Sequence, residues 1–255
     1  MLGMLGAVSL FFMGGLLGLI GAGGSILTIP ILVYLLGVSI SVATTYSLVI
    51  VGVSSFAAVV RRRNEIMFSQ SAFFIFPSFL GVILSRYFLL PSLTRALDQI
   101  TLEKVLLGLL LILMVVAGHL MIRNTVCSDD VKAPRHPLNV TFIALSVGLT
   151  VGLLGVGGGF VIIPSLVLML SFSIEQAVPT SLFIIVLNSM AGFAVDHHEL
   201  SITQWQSLGI YLLISLIGMF AGAYLSPFIK SENIKKSFGY FIWAIAVMIF
   251  LKEWW

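Results

Sequence analysis

The chain has 255 residues, of which 59% are apolar and only 9% charged, and its mean hydropathy is +1.15. Soluble domains carry about 25% charged residues, so composition excludes a water-soluble globular protein and makes this an integral membrane protein. The net charge of +3 is scattered, which argues against a nucleic-acid partner, and the single cysteine, Cys127, excludes an internal disulfide and a thiolate metal cluster. No charged residue precedes Arg61. Within that stretch glycines and prolines divide the chain into pieces at about 4–21, 26–37 and 39–60. About 20 apolar residues are needed to cross roughly 30 Å of hydrocarbon, and the middle piece reaches only about 18 Å as a helix. The first two pieces are therefore expected to form a broken or in-and-back pair hinged at "GAGGS". Further helices are predicted at 68–90, 102–122, 138–155, 159–170, 174–195, 203–229 and 236–252. The apolar beginning lacks the basic region of a signal peptide, and its second half is copied later in the chain, so it is read as mature structure.

That copy is the main organisational signal. "GLIGAGGSILTIPIL" from Gly18 returns as "GLLGVGGGFVIIPSL" from Gly152, placing Pro30 and Pro164 134 residues apart. The same offset pairs Gly21 with Gly155, Gly23 with Gly157, Gly24 with Gly158, Ala43 with Ala177, Ser47 with Ser181 and Ser55 with Ser189. The chain reads as an internal duplication: a first repeat at 1–123, a cytoplasmic linker at 124–137 and a second repeat at 138–255.

Charge orients the repeats. "RRRNE" follows the third element of the first unit, whereas "DHHEL" follows its counterpart, so Arg62 is matched by Asp196. With Arg61, Arg62 and Arg63 inside, positive loops place Arg123, Lys132, Arg135, Lys230, Lys235 and Lys236 inside too. Arg86, Arg95, Lys104 and Lys252 remain on the other side. The two units are then inverted. The predicted fold is an all-α integral membrane protein of two inverted-topology repeats, about five helical elements each, with short broken or re-entrant helices at the glycine motifs.

A helix break in hydrocarbon leaves backbone groups unpaired unless protein or a water-filled cavity satisfies them. The contiguous glycines therefore point to a lined site more than to tight packing alone, although packing is the common use of small residues in membrane helices. Short helices starting near Ser25 and Gly159 would present free N–H groups and a partial positive charge, suited to an anion. The third elements add neutral donors in "ATTYSL" and "AVPTSL", followed by Ser54, Ser55, Asn188 and Ser189. The candidate substrate-binding residues are Gly23, Gly24, Ser25, Tyr46, Ser47, Gly157, Gly158, Gly159, Thr180, Ser181 and Asn188. No Asp, Glu, Lys or Arg falls mid-span; Arg86 and His119 are expected to snorkel or pair near span ends. His197, His198 and Glu199 read as an exposed loop, because adjacent residues make poor joint metal ligands. No metal site, cofactor or catalytic triad is expected, hence no enzyme.

These two glycine motifs, each followed by "TYSL" or "PTSL", resemble the duplicated signature of the TauE/SafE family of sulfite and sulfonate exporters, and the likeness covers nearly the whole chain. The resemblance implies a multi-pass permease of the prokaryotic plasma membrane, with the lipid bilayer as its solvent. Its implied substrate is a small sulfur-containing anion: sulfite, thiosulfate or an organosulfonate. Ser25 stands opposite Gly159 and Tyr46 opposite Thr180, so the two half-sites are expected to differ. A passive anion channel and a non-transporting assembly partner are the alternatives, and a bundle of this size is compatible with a homodimer.

Overall fold

The structure, a computed structural model, describes residues 2–122, 137–196, 200–226 and 231–254. Cys127, nearly all of the expected linker, Arg123, Lys132, Arg135, Lys230 and the His197, His198, Glu199 corner lie outside the described residues, as do the side chains of Lys235 and Lys236. The regular structure described is entirely helical: α1 (Leu2–Ile20), α2 (Thr28–Pro30), α3 (Ile40–Arg61), α4 (Phe68–Leu84), α5 (Leu90–Ala96), α6 (Gln99–Ile122), α7 (Pro137–Leu154), α8 (Gly159–Leu170), α9 (Ile174–Asp196), α10 (Ile202–Leu225) and α11 (Ser231–Trp254). In hydrocarbon each backbone N–H must find its carbonyl inside its own segment, which is why apolar runs of this length fold as helices. Six stretches are long and apolar enough to cross a bilayer: Ile40–Arg61, Phe68–Ala96, Ile100–His119, Pro137–Leu154, Ile174–Asp196 and Ile202–Leu225. The chain is an all-α integral membrane protein.

Lipid tails are as apolar as leucine, so helices in a bilayer associate through close packing, and that needs small residues. The packing is reciprocal between the two halves. Helix α1 lies on α10, with Gly14 against the Ser215 carbonyl and Gly218 against the Phe11 carbonyl. Helix α7 lies on α4 in the same manner, with Gly148 against the Ser78 carbonyl and Gly81 against the Leu145 carbonyl. The two seams superpose in sequence when Ser78 is matched to Ser215 and Gly81 to Gly218, an offset of 137, three residues more than between the glycine motifs. Helices α3 and α9 form the buried centre, and α6 pairs with α11.

The fourth element runs further than the expected 68–90. From Phe68 to Ala96 it is continuously helical, through a π turn at Ser85–Leu89. Pro91 follows that turn and cannot donate to the carbonyl four residues back, where its ring would clash; a widened turn accommodates it. The short element of the first unit also departs from a uniform helix. It opens as a 3-10 segment (Ala22–Leu27), passes through α2 and ends as a π turn (Ile31–Leu35) around the buried Pro30. Its counterpart α8 stays regular around Pro164.

Two outcomes follow from these contacts. A Cβ at Gly148 or Gly218 would stand 2.1 or 2.0 Å from a backbone carbonyl oxygen, so Gly148→Leu and Gly218→Leu should each cost at least the ~3 kcal/mol upper range of overpacking. Loss of the monodisperse peak in size-exclusion chromatography would report it. At the start of α6 the Thr101 hydroxyl and backbone N–H donate to Asp98 (2.6 and 3.3 Å) and hold its carboxyl below the usual range. The stability this cap supplies should be complete above about pH 4 and fade as the pH falls through the lowered value. Melting curves of Asp98→Asn should lack that step.

Candidate functional site

The centre of the molecule is built where α3 crosses α9. The N-terminal end of α3 lies beside the C-terminal end of α9, since the Thr45 hydroxyl donates to the Asp196 carboxylate at 3.3 Å, so the two helices run antiparallel. Gly157 sits in the crossing: a Cβ there would stand 2.5 Å from Val51 and 3.4 Å from Ile185, residues that the 134-residue offset makes equivalent. Gly52 meets Ser189, and Gly192 meets Leu48, on the same helix pair.

The second glycine motif turns through three left-handed residues, Gly155, Gly157 and Gly158, with φ of 67, 72 and 75°. Side chains avoid this region for steric reasons. Gly158 caps α8 and Gly159 opens it, and both are buried. In the first motif Gly21 has φ 88° and faces Val178, while Gly155 faces Thr44, the matched residue. Gly23 lies in the 3-10 segment. Gly24 serves packing: a Cβ would meet the Met13 carbonyl and the Leu17 nitrogen of α1. Ser25 is fully buried.

The neutral donors divide into two groups. Tyr46 donates to the Gln204 carbonyl at the start of α10 and packs edge-on against Tyr211. Thr180 donates to the Gln176 carbonyl (2.7 Å) and accepts from the Met67 N–H (3.2 Å), while Ser181 donates to the Val178 carbonyl (2.8 Å). Those three hydroxyl protons are committed to backbone. Among the described residues the buried hydroxyls of Ser47, Ser54, Ser55 and Ser189 have no such partner. The amide of Asn188 donates to Ser78 (2.8 Å), and its oxygen is unpartnered. Ser54 and Ser215 are the matched pair in the other half, and both are unpartnered because serine is too short to reach where asparagine does. Buried polar groups are normally satisfied, so a cluster of orphan hydroxyls along one helix crossing marks a polar lining.

Cavities open at both ends of this crossing. One, of about 820 Å³, is lined by Ser41 and Thr44 of α3, Val195 and Asp196 of α9, and Arg86, Arg95 and Glu103. The other, of about 340 Å³, is lined by Ala58 and Arg61 of α3, Arg62 and Glu65 just beyond it, Leu182 of α9, and Gly21 and Ala223. Three lining positions correspond through the repeat: Arg61 with Val195, Arg62 with Asp196 and Ala223 with Arg86.

The larger cavity also decides between the two expectations for Arg86, snorkelling or pairing: it pairs. Arg86 sits on the π turn inside Phe68–Ala96 and is 1% exposed; it does not snorkel. Its guanidinium forms an ion pair with Asp196, its Nε donates to the Gly152 carbonyl (2.7 Å), and Gly155, lacking a Cβ, leaves room for the remaining nitrogen. Sequence reasoning placed Arg86 near a span end because the π turn, and so the helix beyond residue 90, has no signature other than Pro91.

Long apolar helices, a polar crossing at their centre and a cavity at each end make up the architecture of a multi-pass membrane transporter. The family described as Sulfite exporter TauE/SafE matches residues 6–249. The chain belongs to that family of membrane transporters. A probable membrane transporter protein of Xylella fastidiosa (strain Temecula1) is 25% identical over 252 residues, covering 93% of this chain and 91% of the relative. The probable membrane transporter protein YunE of Bacillus subtilis is 30% identical over 241 residues, covering 86% and 85%. A probable membrane transporter protein of Methanocaldococcus jannaschii is 32% identical over 111 residues, 41% of each chain. No solved structure matches the chain.

Gly155 offers a direct check on the junction. A Cβ there would stand 2.6 Å from Arg86 and 2.7 Å from the Thr44 carbonyl, on a backbone with φ 67°. Gly155→Ala should destabilise the protein by about as much as breaking a buried ion pair, about 3–5 kcal/mol, and so lower its melting temperature, whereas Gly209→Ala, in open space, should melt like the parent protein.

Proposed function

We propose that the protein is a secondary transporter that moves a small sulfur-containing anion, such as sulfite, thiosulfate or an organosulfonate, across the prokaryotic plasma membrane by alternating access. The observation that carries this reading is the row of buried, unpartnered hydroxyls on α3 and α9 beside the N-terminus of α8. An oxyanion accepts hydrogen bonds and needs donors; Ser47, Ser54, Ser55 and Ser189 have protons to give, and the free N–H groups at Gly158 and Gly159 add the positive end of a helix dipole. Gly157 lets the chain come close enough for those groups to converge. The matching 3-10 segment, with Gly23, Gly24 and Ser25, is the other half of the cradle. Tyr46, Thr180 and Ser181 hold the helices in place through the backbone bonds they make. Donors without formal charge bind an anion loosely enough to release it, which suits a carrier.

The antiparallel crossing of α3 and α9, the reciprocal seams and the corresponding cavities support two inverted units, 1–123 and 138–255, rocking about the crossing. Each cavity is then the vestibule of one state. Sulfur oxyanions are the favoured class because the family is that of a sulfite exporter.

Flux of labelled sulfite and thiosulfate into proteoliposomes tests this. Ser47→Ala and Asn188→Ala should lower flux about tenfold, the worth of one hydrogen bond to a charged group, while eluting like the parent protein. Undiminished flux in both variants would remove the anion site from the α3–α9 crossing.

A further inference from the structure

We infer that Arg86 is an oxyanion-binding residue whose site is occupied at rest by the Asp196 carboxylate, so that an arriving anion enters by displacing Asp196 from the guanidinium. The inference rests on the transport reading and adds to it an entry site at the wide vestibule.

The pair is built as a site more than as a brace. A buried ion pair contributes little net stability, because desolvating two charges offsets their attraction, and here the fold supplies its own comparison. At the matched corner in the other half, Ala223 stands in the place of Arg86 and Arg62 in the place of Asp196. The same helix junction, with Gly18 packed on Met219 and Gly21 on Val178, closes there with no such pair. The architecture therefore does not require this buried pair: the smaller cavity is charged too, through Arg61, Arg62 and Glu65, but has no cation at the place of Arg86.

The two partners are held unequally. Arg86 is 1% exposed, anchored through Nε by the Gly152 carbonyl near the C-terminal end of α7, where the helix dipole favours a cation. It is among the residues that line the 820 Å³ cavity. Asp196 is the last residue of α9, where the same dipole disfavours an anion; its side chain is 16% exposed, and the Thr45 hydroxyl donates to it. Arg95 and Glu103 complete the charged lining. A fixed cation and a looser, partly solvated anion form a pair in which the anion is the part that exchanges. A guanidinium that receives a carboxylate also has the planar donors to receive a sulfonate or thiosulfate.

Calorimetric titration of the purified protein with sodium thiosulfate, at constant pH and against sodium chloride of equal ionic strength, tests the inference. Asp196→Asn should bind thiosulfate about tenfold more tightly than the parent, since its competitor is neutral. Thr45→Val, which only loosens the carboxylate, should shift affinity the same way by less. Arg86→Gln combined with Asp196→Asn removes both charges, keeps the fold because the loss is balanced, and should bind no thiosulfate through this site. Equal affinity in the parent, Asp196→Asn and Thr45→Val would overturn the proposal, as would parental affinity in the double variant. Should Asp196→Asn fail to fold, Thr45→Val decides. Flux separates this from the transport reading: tightened binding in a protein that moves no sulfur anion leaves the displacement site and removes the transporter, whereas parental flux in the double variant does the reverse.

Discussion

Gly157 has a hydrogen where any other residue would put a carbon into Val51, and much of the molecule is arranged around that fact. Because the chain can pass between α3 and α9 at their crossing, the broken segment is admitted to the centre of the bundle. Once there, its backbone groups and the serine hydroxyls of the two helices share one buried region. A bilayer offers no water to satisfy such groups, so the helix break is tenable only where the surrounding protein or its cargo attends to it. The close approach and the polar lining are thus one feature seen from the backbone and from the side chains.

The same principle governs the periphery. Helices that cannot be driven together by the hydrophobic effect associate where their backbones touch, and the glycines of α1 with α10 and of α4 with α7 provide the touching surfaces. Each half lends its first helix to the fourth helix of the other. That exchange ties the halves together at two seams and leaves the α3–α9 crossing as the element common to both. The cavity at one end is larger than the one at the other, and their linings share three repeat-matched positions: Arg61 with Val195, Arg62 with Asp196 and Ala223 with Arg86.

Duplicated sequence also shows where the halves have parted. Asn188 reaches Ser78, whereas Ser54 stops short of Ser215; Arg86 faces Asp196, whereas Ala223 and Arg62 occupy the corresponding corner. The divergence falls on polar contacts, over a shared apolar frame. Tyr46 and Thr180 diverged likewise, and each now ties a helix to a different neighbour.

The amino-acid sequence by itself determined the solvent, the helical class, the duplicated motifs and most helix boundaries, because apolar run length and glycine and proline punctuation are local properties that hydrocarbon enforces one segment at a time. It also showed the glycine clusters that bring the backbone to the centre. Which donors are spent and which are free was decided only by the tertiary structure: Ser47 and Ser181 are equivalent in sequence, yet one has a backbone carbonyl to bond and the other does not. The union of Arg86 with Asp196 was likewise invisible along the chain. It depends on a widened turn before Pro91 that rotates the end of one helix, and on an antiparallel crossing, between segments more than a hundred residues apart, that delivers the end of another.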